Sequence, residues 1–496
     1  MVKLLGLRLC EHDSNISFFD GNEIHYYKSE RDFNIKHHGF DNLWQWKEII
    51  FKKWNVKIED IDEIAIILDP YRHNLPKDKF SFFPSINYEH LNLKNLIRLN
   101  HHYAHALSLE LIYPHIKNHV VIDGFGDCDE STSVFKNGKR LITLHEEKNG
   151  SLGNLMGSVG QFLSIQSNHI LDVAGKVMGL QSYGNLNKDY LNILSKYNLE
   201  NINEIFNVNH FIDFKKDLVL ADQNRLEWIR TVHEVIGGIL IKFFKKYFSE
   251  NDHIGYSGGV AQNVIWNTIL KNKFKNLHLV PHTADDGLSL GGLKYLLDKH
   301  NQKSNFSKYP FCQSDETPPT KPKDDVIKLT SNAIINNKVI AWYQDNGEIG
   351  YRALGNRSLL FNPFNSNAKD IINKIKKREN FRPFGASVLK EDVNKYFDNG
   401  MENPYMLFVA KTIYKNLKSI THVDGTCRYQ TVDENNGSFY ELLKCMKRDV
   451  KESIVLNTSL NLAGDPILNK KEQLNEFIDN EDVDVVVYGN EVLKNV

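Results

Sequence analysis

Two histidines four residues apart, His101 and His105, are followed by Asp123 at the end of a β-branched run and, far downstream, by Asp285 in a glycine-flanked loop. On a helix this spacing puts both imidazoles on one face, able to reach one ion, and turns His102 elsewhere. Two imidazoles and two carboxylates make an N2O2 shell suited to Fe(II), Mn(II) or Zn(II), with Fe(II) the expected ion. A second set lies further on. Arg352, Arg357, Lys376, Arg378, Arg382 and Arg428 recur beside Gly, Pro and Phe instead of beside Glu at helical spacing, as residues lining a cavity do. Guanidinium forks match phosphate oxygens bidentately, and the Asn457-Thr-Ser-Leu-Asn461 loop adds Ser459 and Asn461 as donors. The first set suits a metal and nucleotide site and the second an anionic small substrate, so the chain is expected to activate a group in one place and use it in another. The alternatives are two core-satisfied histidines and a structural ion-pair network.

Further loops join these sets. Gly258-Gly-Val-Ala-Gln-Asn263 follows the short run His253–Tyr256, putting Gly258 and Gly259 at a strand-to-helix turn where backbone N–H groups can approach a nucleotide phosphate or ribose. Tight packing is the alternative reading. Asp123-Gly-Phe-Gly and Asp286-Gly-Leu-Ser-Leu-Gly-Gly292 add two more such loops, and three of them at strand ends resemble the actin-like ATPase plan, in which two half-domains clamp ATP. His12-Asp13-Ser14 then takes the first phosphate-loop position, where a neutral imidazole takes a proton from an acceptor hydroxyl. A surface histidine is the alternative there.

The elements that must position these residues read as alternating strands and helices. Lys3–Leu9, Asn15–Phe19 and Ile24–Tyr27 are expected as a meander with an Asp20-Gly21 turn, and 64–68 and 119–123 as further strands. Helices are expected over 41–54, 231–247 and 264–276. Between Lys299 and Asp325 the chain turns polar and proline-rich without apolar periodicity, which marks a domain boundary. Beyond it, 339–343, 406–410, 453–456 and 483–488 are expected as strands and 368–377 and 438–447 as helices. No internal repeat is visible.

Bulk properties narrow the class. At 496 residues two domains are expected. With 61 basic against 62 acidic residues there is no global basic field for nucleic acid, so an anion must be held by local clusters. The start, interrupted by Arg8, reads as a buried strand and not as a secretory signal; no apolar run spans a bilayer, and five scattered cysteines lack CxxC spacing. A reduced, cytoplasmic protein is expected.

Nearly the whole chain resembles the O-carbamoyltransferases of antibiotic tailoring and nodulation-factor modification. The resemblance rests on His12-Asp13-Ser14, Glu30-Arg31 with Lys36-His37, His101 to Ala106, Asp123-Gly124, Gly175 to Leu180 with Ser182-Tyr-Gly184, and Gly258 to Asn263. It continues through Arg352 to Ser358, Lys376 to Phe384, His422 to Thr426 with Arg428, and Asn457 to Asn461 with Gly464-Asp-Pro466. The chain departs from the family pattern at Tyr351, Gln262 and Gly385-Ala386, none of which removes a charge.

What the resemblance implies is an α/β and α+β chain: an actin-like (ASKHA) carbamoyl-transfer domain over 1–310, a linker over 311–325 and a YrdC-like domain over 326–496. The second domain would form carbamoyl-adenylate from carbamoyl phosphate and ATP, with Mg2+, at Arg352, Arg357, Lys376, Arg378, Arg428, Ser459 and Asn461. The first would pass the carbamoyl group to an acceptor hydroxyl, with the metal at His101, His105, Asp123 and Asp285, the nucleotide at Lys176, Gly258, Gly259 and Asn263, His12 as general base and Lys36 on the acceptor. Arg357 and Lys376 join His12 as the expected catalytic residues. The acceptor is a sugar, a small metabolite or a hydroxymethylated nucleotide; nucleic acid enters only as a modified acceptor, no membrane is involved, and a homodimer is admitted. The competing readings are a threonylcarbamoyl-type tRNA modifier and an actin-like nucleotide-binding regulator.

Overall fold

Short, largely apolar runs that are buried almost throughout form strands β1 (Leu4–Arg8), β2 (Asn15–Phe19) and β3 (Ile24–Lys28), an antiparallel meander. From the other side of β1, β4 (Glu63–Ile67) and β5 (Leu96–Arg98) continue in parallel, giving the order β3-β2-β1-β4-β5. The computed structural model describes residues 1–9, 12–40, 45–68, 96–162, 165–202, 204–205, 223–313 and 316–495. Cys10 and the first residues of the helix expected from 41 lie outside them. The chain divides into two units, Met1–Phe33 with His37–Ser307 and Asn34–Lys36 with Lys308–Val496.

A second sheet in the first unit holds β6 (His119–Ile122), β7 (Glu130–Lys136), β8 (Lys139–His145), β9 (Ile254–Ser257) and β10 (Leu277–His278), in the order β10-β9-β6-β7-β8. β6, β7 and β8 are an antiparallel meander, while β9 and β10 run parallel to β6. Strand for strand this is the order and direction of the first sheet, so the unit is a topological duplication that leaves no repeat in the sequence. The β1–β2 turn carries His12 and Asp13, and the equivalent β6–β7 turn follows Asp123.

Two helices lock these sheets together. Asn100 caps the helix His101–Ile112, its side chain accepting from the Tyr103 N–H at 3.0 Å, so His101 sits in the first helical turn. The helix Leu288–Lys299 packs against it and against β1. A Cβ at Gly291 would stand 1.9 Å from the Ala104 carbonyl oxygen, and one at Gly6 2.0 Å from that of Ser289. Only glycine permits backbone approach this close, and the approach sets the height of His101 and His105 relative to Asp285.

The second unit is built on β12 (Ile340–Tyr343), β14 (Arg357–Phe361), β15 (Gly385–Leu389), β16 (Phe397–Asp398), β17 (Val409–Thr412), β18 (Thr426–Val432), β19 (Ile454–Ser459), β20 (Val485–Tyr488) and β21 (Glu491–Asn495), in the order β16-β17-β18-β15-β19-β14-β12-β20-β21. Along β12, Ala341 and Tyr343 enter one apolar core and Ile340 and Trp342 another, and β19 and β20 alternate the same way. A sheet covered on both faces explains why these strands read as unbroken apolar runs. The strand expected over 406–410 begins at Val409 instead, because Met406 takes a left-handed turn (φ 57°) with its N–H on the Asn403 carbonyl. The stretch expected as a linker contributes β11 (Phe311–Gln313), paired with β13 (Gly347–Glu348), so its apolar Phe311 and buried Cys312 are part of the second unit. Among the described residues no helix is long and apolar enough to cross a membrane.

Gly291→Ala should destabilise the protein by about 1–3 kcal/mol, because a methyl group there must push two helices apart. Gly238→Ala, on the exposed face of the helix Gln223–Tyr247 with nothing within 4 Å, should be neutral or stabilise by about 0.5–1 kcal/mol. Urea unfolding of the two variants beside the parent checks the contrast.

Candidate functional site

In the first unit the structure brings His101, His105, Asp123 and Asp285 together, all buried. Their facing atoms are His101 Nε2, His105 Nε2, Asp123 Oδ2 and Asp285 Oδ1. The two nitrogens are 3.2 Å apart; His101 stands 3.3 Å from each carboxylate oxygen, and His105 stands 2.9 Å from Asp123 and 3.5 Å from Asp285. Donor atoms about 2.1 Å from one ion lie roughly 3.0–3.4 Å from one another in octahedral or tetrahedral arrangement. The observed edges match that size, and the donor set fits a divalent first-row ion. His102, also buried, turns away to Ser133 Oγ at 2.8 Å.

The other oxygen of each carboxylate is fixed. Asp123 Oδ1 accepts from the backbone N–H groups of Gly124 at 2.7 Å and Gly259 at 3.0 Å, so the glycine loop after β9 aims Asp123 Oδ2 at the imidazoles. Gly258 takes a left-handed conformation (φ 93°), and a Cβ there would meet the Ile122 carbonyl at 2.3 Å. Asp285 Oδ2 accepts from Arg8 Nη2 at 2.7 Å. Burial alone would lower His101, yet Asp285 and Asp123 outweigh it and raise it to about 9. Burial would likewise raise Asp123, but hydrogen bonds from His101 and His105 hold it well below the usual carboxylate range. Asp285 is held low by His101 and Arg8 against its own burial. The cluster therefore favours positive charge at its centre, carried either by the imidazoles or by an ion.

Beside the cluster, His12 Nδ1 lies 3.1 Å from Asp13 Oδ2 and 3.9 Å from Asp285 Oδ2. Asp13 is in turn held by His37 Nδ1 at 3.1 Å, and His37 Nε2 reaches Asp172 at 3.4 Å. Against its burial, His37 is raised to about 10 by Asp13 and Asp172. A buried ion network adjoins it: Lys28 pairs with Glu30 at 2.9 Å and with Asp286 at 3.4 Å. Burial pushes Asp286 up to about 6, while Lys28 and Arg31 overcome burial to bring Glu30 down to about 2.

Two of the expected nucleotide residues face inward. Asn263 caps the helix Val264–Lys273, its Oδ1 accepting from the Ile265 and Trp266 N–H groups, and its amide meets His233 Nε2 at 3.0 Å. Lys176 is buried and donates to the Gln166 carbonyl. Both thus shape the unit; Gly258 and Gly259 remain at the loop as expected.

In the second unit Arg352, Arg378, Arg382 and Arg428 are half-buried and Lys376 is buried. Burial together with Arg378 and Arg382 holds Lys376 well below the usual lysine range. Burial and Arg382 do the same for Arg378, and burial with Arg352 brings Arg428 down to about 9. Each of these cations is thus disfavoured first by desolvation and then by its cationic neighbours, while Arg378 donates to Asn373 Oδ1 and to the Arg382 and Pro383 carbonyls. Arg378 lies over the Phe384 ring at 4.0 Å and Arg352 over Tyr351 at 4.5 Å, which fixes the direction of both forks. Ser459 and Asn461 present oxygens to Lys376, not donors to a ligand: the ammonium donates to the Ser459 carbonyl and hydroxyl and to Asn461 Oδ1. Lys36, expected on the acceptor, groups with the second unit, where its charge bears on Lys376.

Arg357 stands apart from the cation set. It is fully buried, stacked 3.5 Å over Tyr343, and its guanidinium donates to the carbonyls of Gln344, Asn356, Asp345 and Glu316. Four carbonyl partners and an aromatic face occupy the fork, so Arg357 organises the β12–β14 end instead of meeting phosphate. The residues that sequence reasoning passed over are Arg8, Asp13, His37, Asp172 and Asp286. Arg8 had a signal: a charge inside the apolar run Leu4–Leu9 that is 2 % exposed has to be paired.

Residues 75–293 match the family description carbamoyltransferase N-terminus and residues 331–495 match carbamoyltransferase C-terminus. An uncharacterized protein of Methanocaldococcus jannaschii is 27% identical over 530 residues, covering 99% of both chains. A 3'-hydroxymethylcephem-O-carbamoyltransferase of Amycolatopsis lactamdurans is 32% identical over 252 residues, 49% of this chain and 48% of that one. The nodulation protein NolNO of Sinorhizobium fredii is 33% identical over 268 residues, 49% of this chain and 39% of that one. The matches to these last two thus span half or less of their length.

Arg357→Ala should cost about 3–5 kcal/mol, since it strands buried carbonyls that the guanidinium satisfies. Arg352→Ala should change stability little or raise it, because it relieves repulsion among cations. Equal losses for the two in urea unfolding would place Arg352 in the structural class as well.

Proposed function

The chain belongs to the carbamoyltransferase family and is an enzyme of that class, and from this we propose that it is an ATP-dependent O-carbamoyltransferase working in two half-reactions. The observation that carries the reading is the cation set of half-buried Arg352, Arg378, Arg382 and Arg428 with buried Lys376, which suits a multiply charged phosphate donor. The second unit takes the YrdC-like role. There carbamoyl phosphate is cleaved by water to carbamate and phosphate, and a carbamate oxygen attacks the α-phosphorus of Mg2+-ATP. Carbamoyl-adenylate and pyrophosphate result. The fixed cations hold the phosphate oxygens and stabilise the charge gathering on pyrophosphate without having to reorganise.

The first unit takes the actin-like role, and its duplicated sheets support that reading. With the Nδ1–H of His12 given to Asp13, the ring's lone pair sits on Nε2, which takes the proton from the acceptor hydroxyl as its oxygen attacks the carbamoyl carbon. AMP leaves. His37 holds Asp13 ionised and in place, so it is a positioning residue for His12. A divalent ion held by His101, His105, Asp123 and Asp285, Fe(II) first among those that fit, would supply Lewis-acid stabilisation of the departing phosphate. The backbone N–H groups at Gly258 and Gly259 suit the nucleotide. The name of the cephem relative, which carries a hydroxymethyl acceptor, supports a hydroxyl on a small metabolite as the acceptor class.

The half-reactions separate by mutation. Lys376→Met should lose carbamoyl-phosphate-dependent pyrophosphate release by at least about a hundredfold. His12→Asn should keep that release and lose carbamoylation of the acceptor by roughly a hundredfold to ten-thousandfold. Pyrophosphate assay and mass spectrometry with labelled carbamoyl phosphate read the two steps; parental carbamoylation in His12→Asn would remove the base assignment.

A further inference from the structure

A second group of imidazoles lies apart from the buried cluster in the first unit. His115 is in the loop between the helix His101–Ile112 and β6, His253 immediately precedes β9, and His278 ends β10. Their ligand nitrogens all lie within 4.8 Å of one another, with His115 and His253 exposed and His278 half-buried. His253 Nδ1 is 3.1 Å from His278 Nε2. The His253 and His278 rings are stacked at 5.3 Å and 17°, and His115 stands edge-on to both, at 5.5 Å and 5.9 Å.

The framework beneath these rings is firm. Parallel pairing sets His278 beside Gly255, the Gly255 N–H bonds to the Asn118 carbonyl at 2.8 Å, and the Ile254 N–H to that of Asn276 at 3.0 Å. Among the described residues the group gathers no carboxylate, and the charged neighbour bearing on His278 is the cation Lys271. Three imidazoles held this close repel one another when protonated and, when neutral, gather three nitrogen donors in one place. Neutral imidazole nitrogens suit Zn(II), Ni(II) and Cu(II), while Mg(II) and Ca(II) take oxygen ligands.

The geometry points to a second metal site, a surface three-histidine site at His115, His253 and His278 for a late first-row divalent cation, with a fourth position left to water. The His253 Nδ1 to His278 Nε2 separation of 3.1 Å already falls within the roughly 3.4 Å of a tetrahedral edge, and His115, exposed, is the ring left to adjust. An ion there ties the C-terminal end of the helix that carries His101 and His105 to the strand that leads into Gly258. The site is chemically distinct from the buried one: all nitrogen where the other is half carboxylate.

The test is a titration of the chelator-stripped full chain with Ni(II), and separately Zn(II), against a chromogenic chelator. The parent should bind one equivalent that His278→Gln and His253→Gln each weaken by roughly tenfold or more and that His101→Gln leaves in place. Excess Mg(II) should not displace it, and carbamoylation by His278→Gln should match the parent. Parental Ni(II) binding in both His278→Gln and His253→Gln, or loss of all bound ion in His101→Gln alone, overturns the proposal.

Discussion

Two buried imidazole nitrogens, 3.2 Å apart and each 2.9–3.5 Å from two buried carboxylate oxygens, do not persist without positive charge among them. Much of the first unit is arranged to impose that convergence. The Asn100 cap starts the histidine helix at His101, and Gly291 and Gly6 let the helix Leu288–Lys299 seat against both Ala104 and β1, which brings Asp285 to the imidazoles. The Gly124 and Gly259 N–H groups and Arg8 each occupy the far oxygen of a carboxylate. Holding one oxygen leaves the other with a single direction to face. A cluster built this way would take a cation with little reorganisation, because its four facing atoms are already held in place.

The second unit answers the opposite electrostatic problem. There Lys376, Arg378 and Arg428 are desolvated beside one another and held below their ordinary range by mutual repulsion as well as burial. Two aromatic faces and the oxygens of Ser459 and Asn461 keep these cations in place. Arg357 and Arg428 differ in their surroundings. The guanidinium of Arg357 is taken up by carbonyls, whereas Arg428 lies near the cations Arg352 and Arg382 as well as Tyr351 and Cys427.

Much of this was legible in the residues before any coordinates. The i, i+4 histidines fall on a helix, Asp123 follows a strand, and Asp285 sits at a helix start, because spacing and β-branching are local properties that tertiary context seldom overrides. The opening meander and the runs around 340 and 485 were readable for the same reason. What stayed hidden was relational. The duplication of the sheets lives in strand order and direction, which share no residues between the halves. Arg357 and Arg428 look alike in sequence, and only their partners separate them. Asn263 reads as a nucleotide contact until its oxygen is seen capping a helix, and Met406 as a strand residue until its left-handed turn is seen. Asp13 and His37, 24 positions apart, meet through a turn whose geometry no periodicity announces.

Anomalous X-ray diffraction from crystals of the purified protein, at the absorption edges of iron, manganese and zinc, addresses the central constraint most directly. The expected result is a single strong peak among His101, His105, Asp123 and Asp285, about 2.0–2.2 Å from His101 Nε2, His105 Nε2 and one oxygen of each carboxylate. The same four side chains in the same arrangement with no peak at any of the three edges, after growth with those ions supplied, would contradict it: the positive charge would then be carried by protonated imidazole, and the first unit would hold no metal centre.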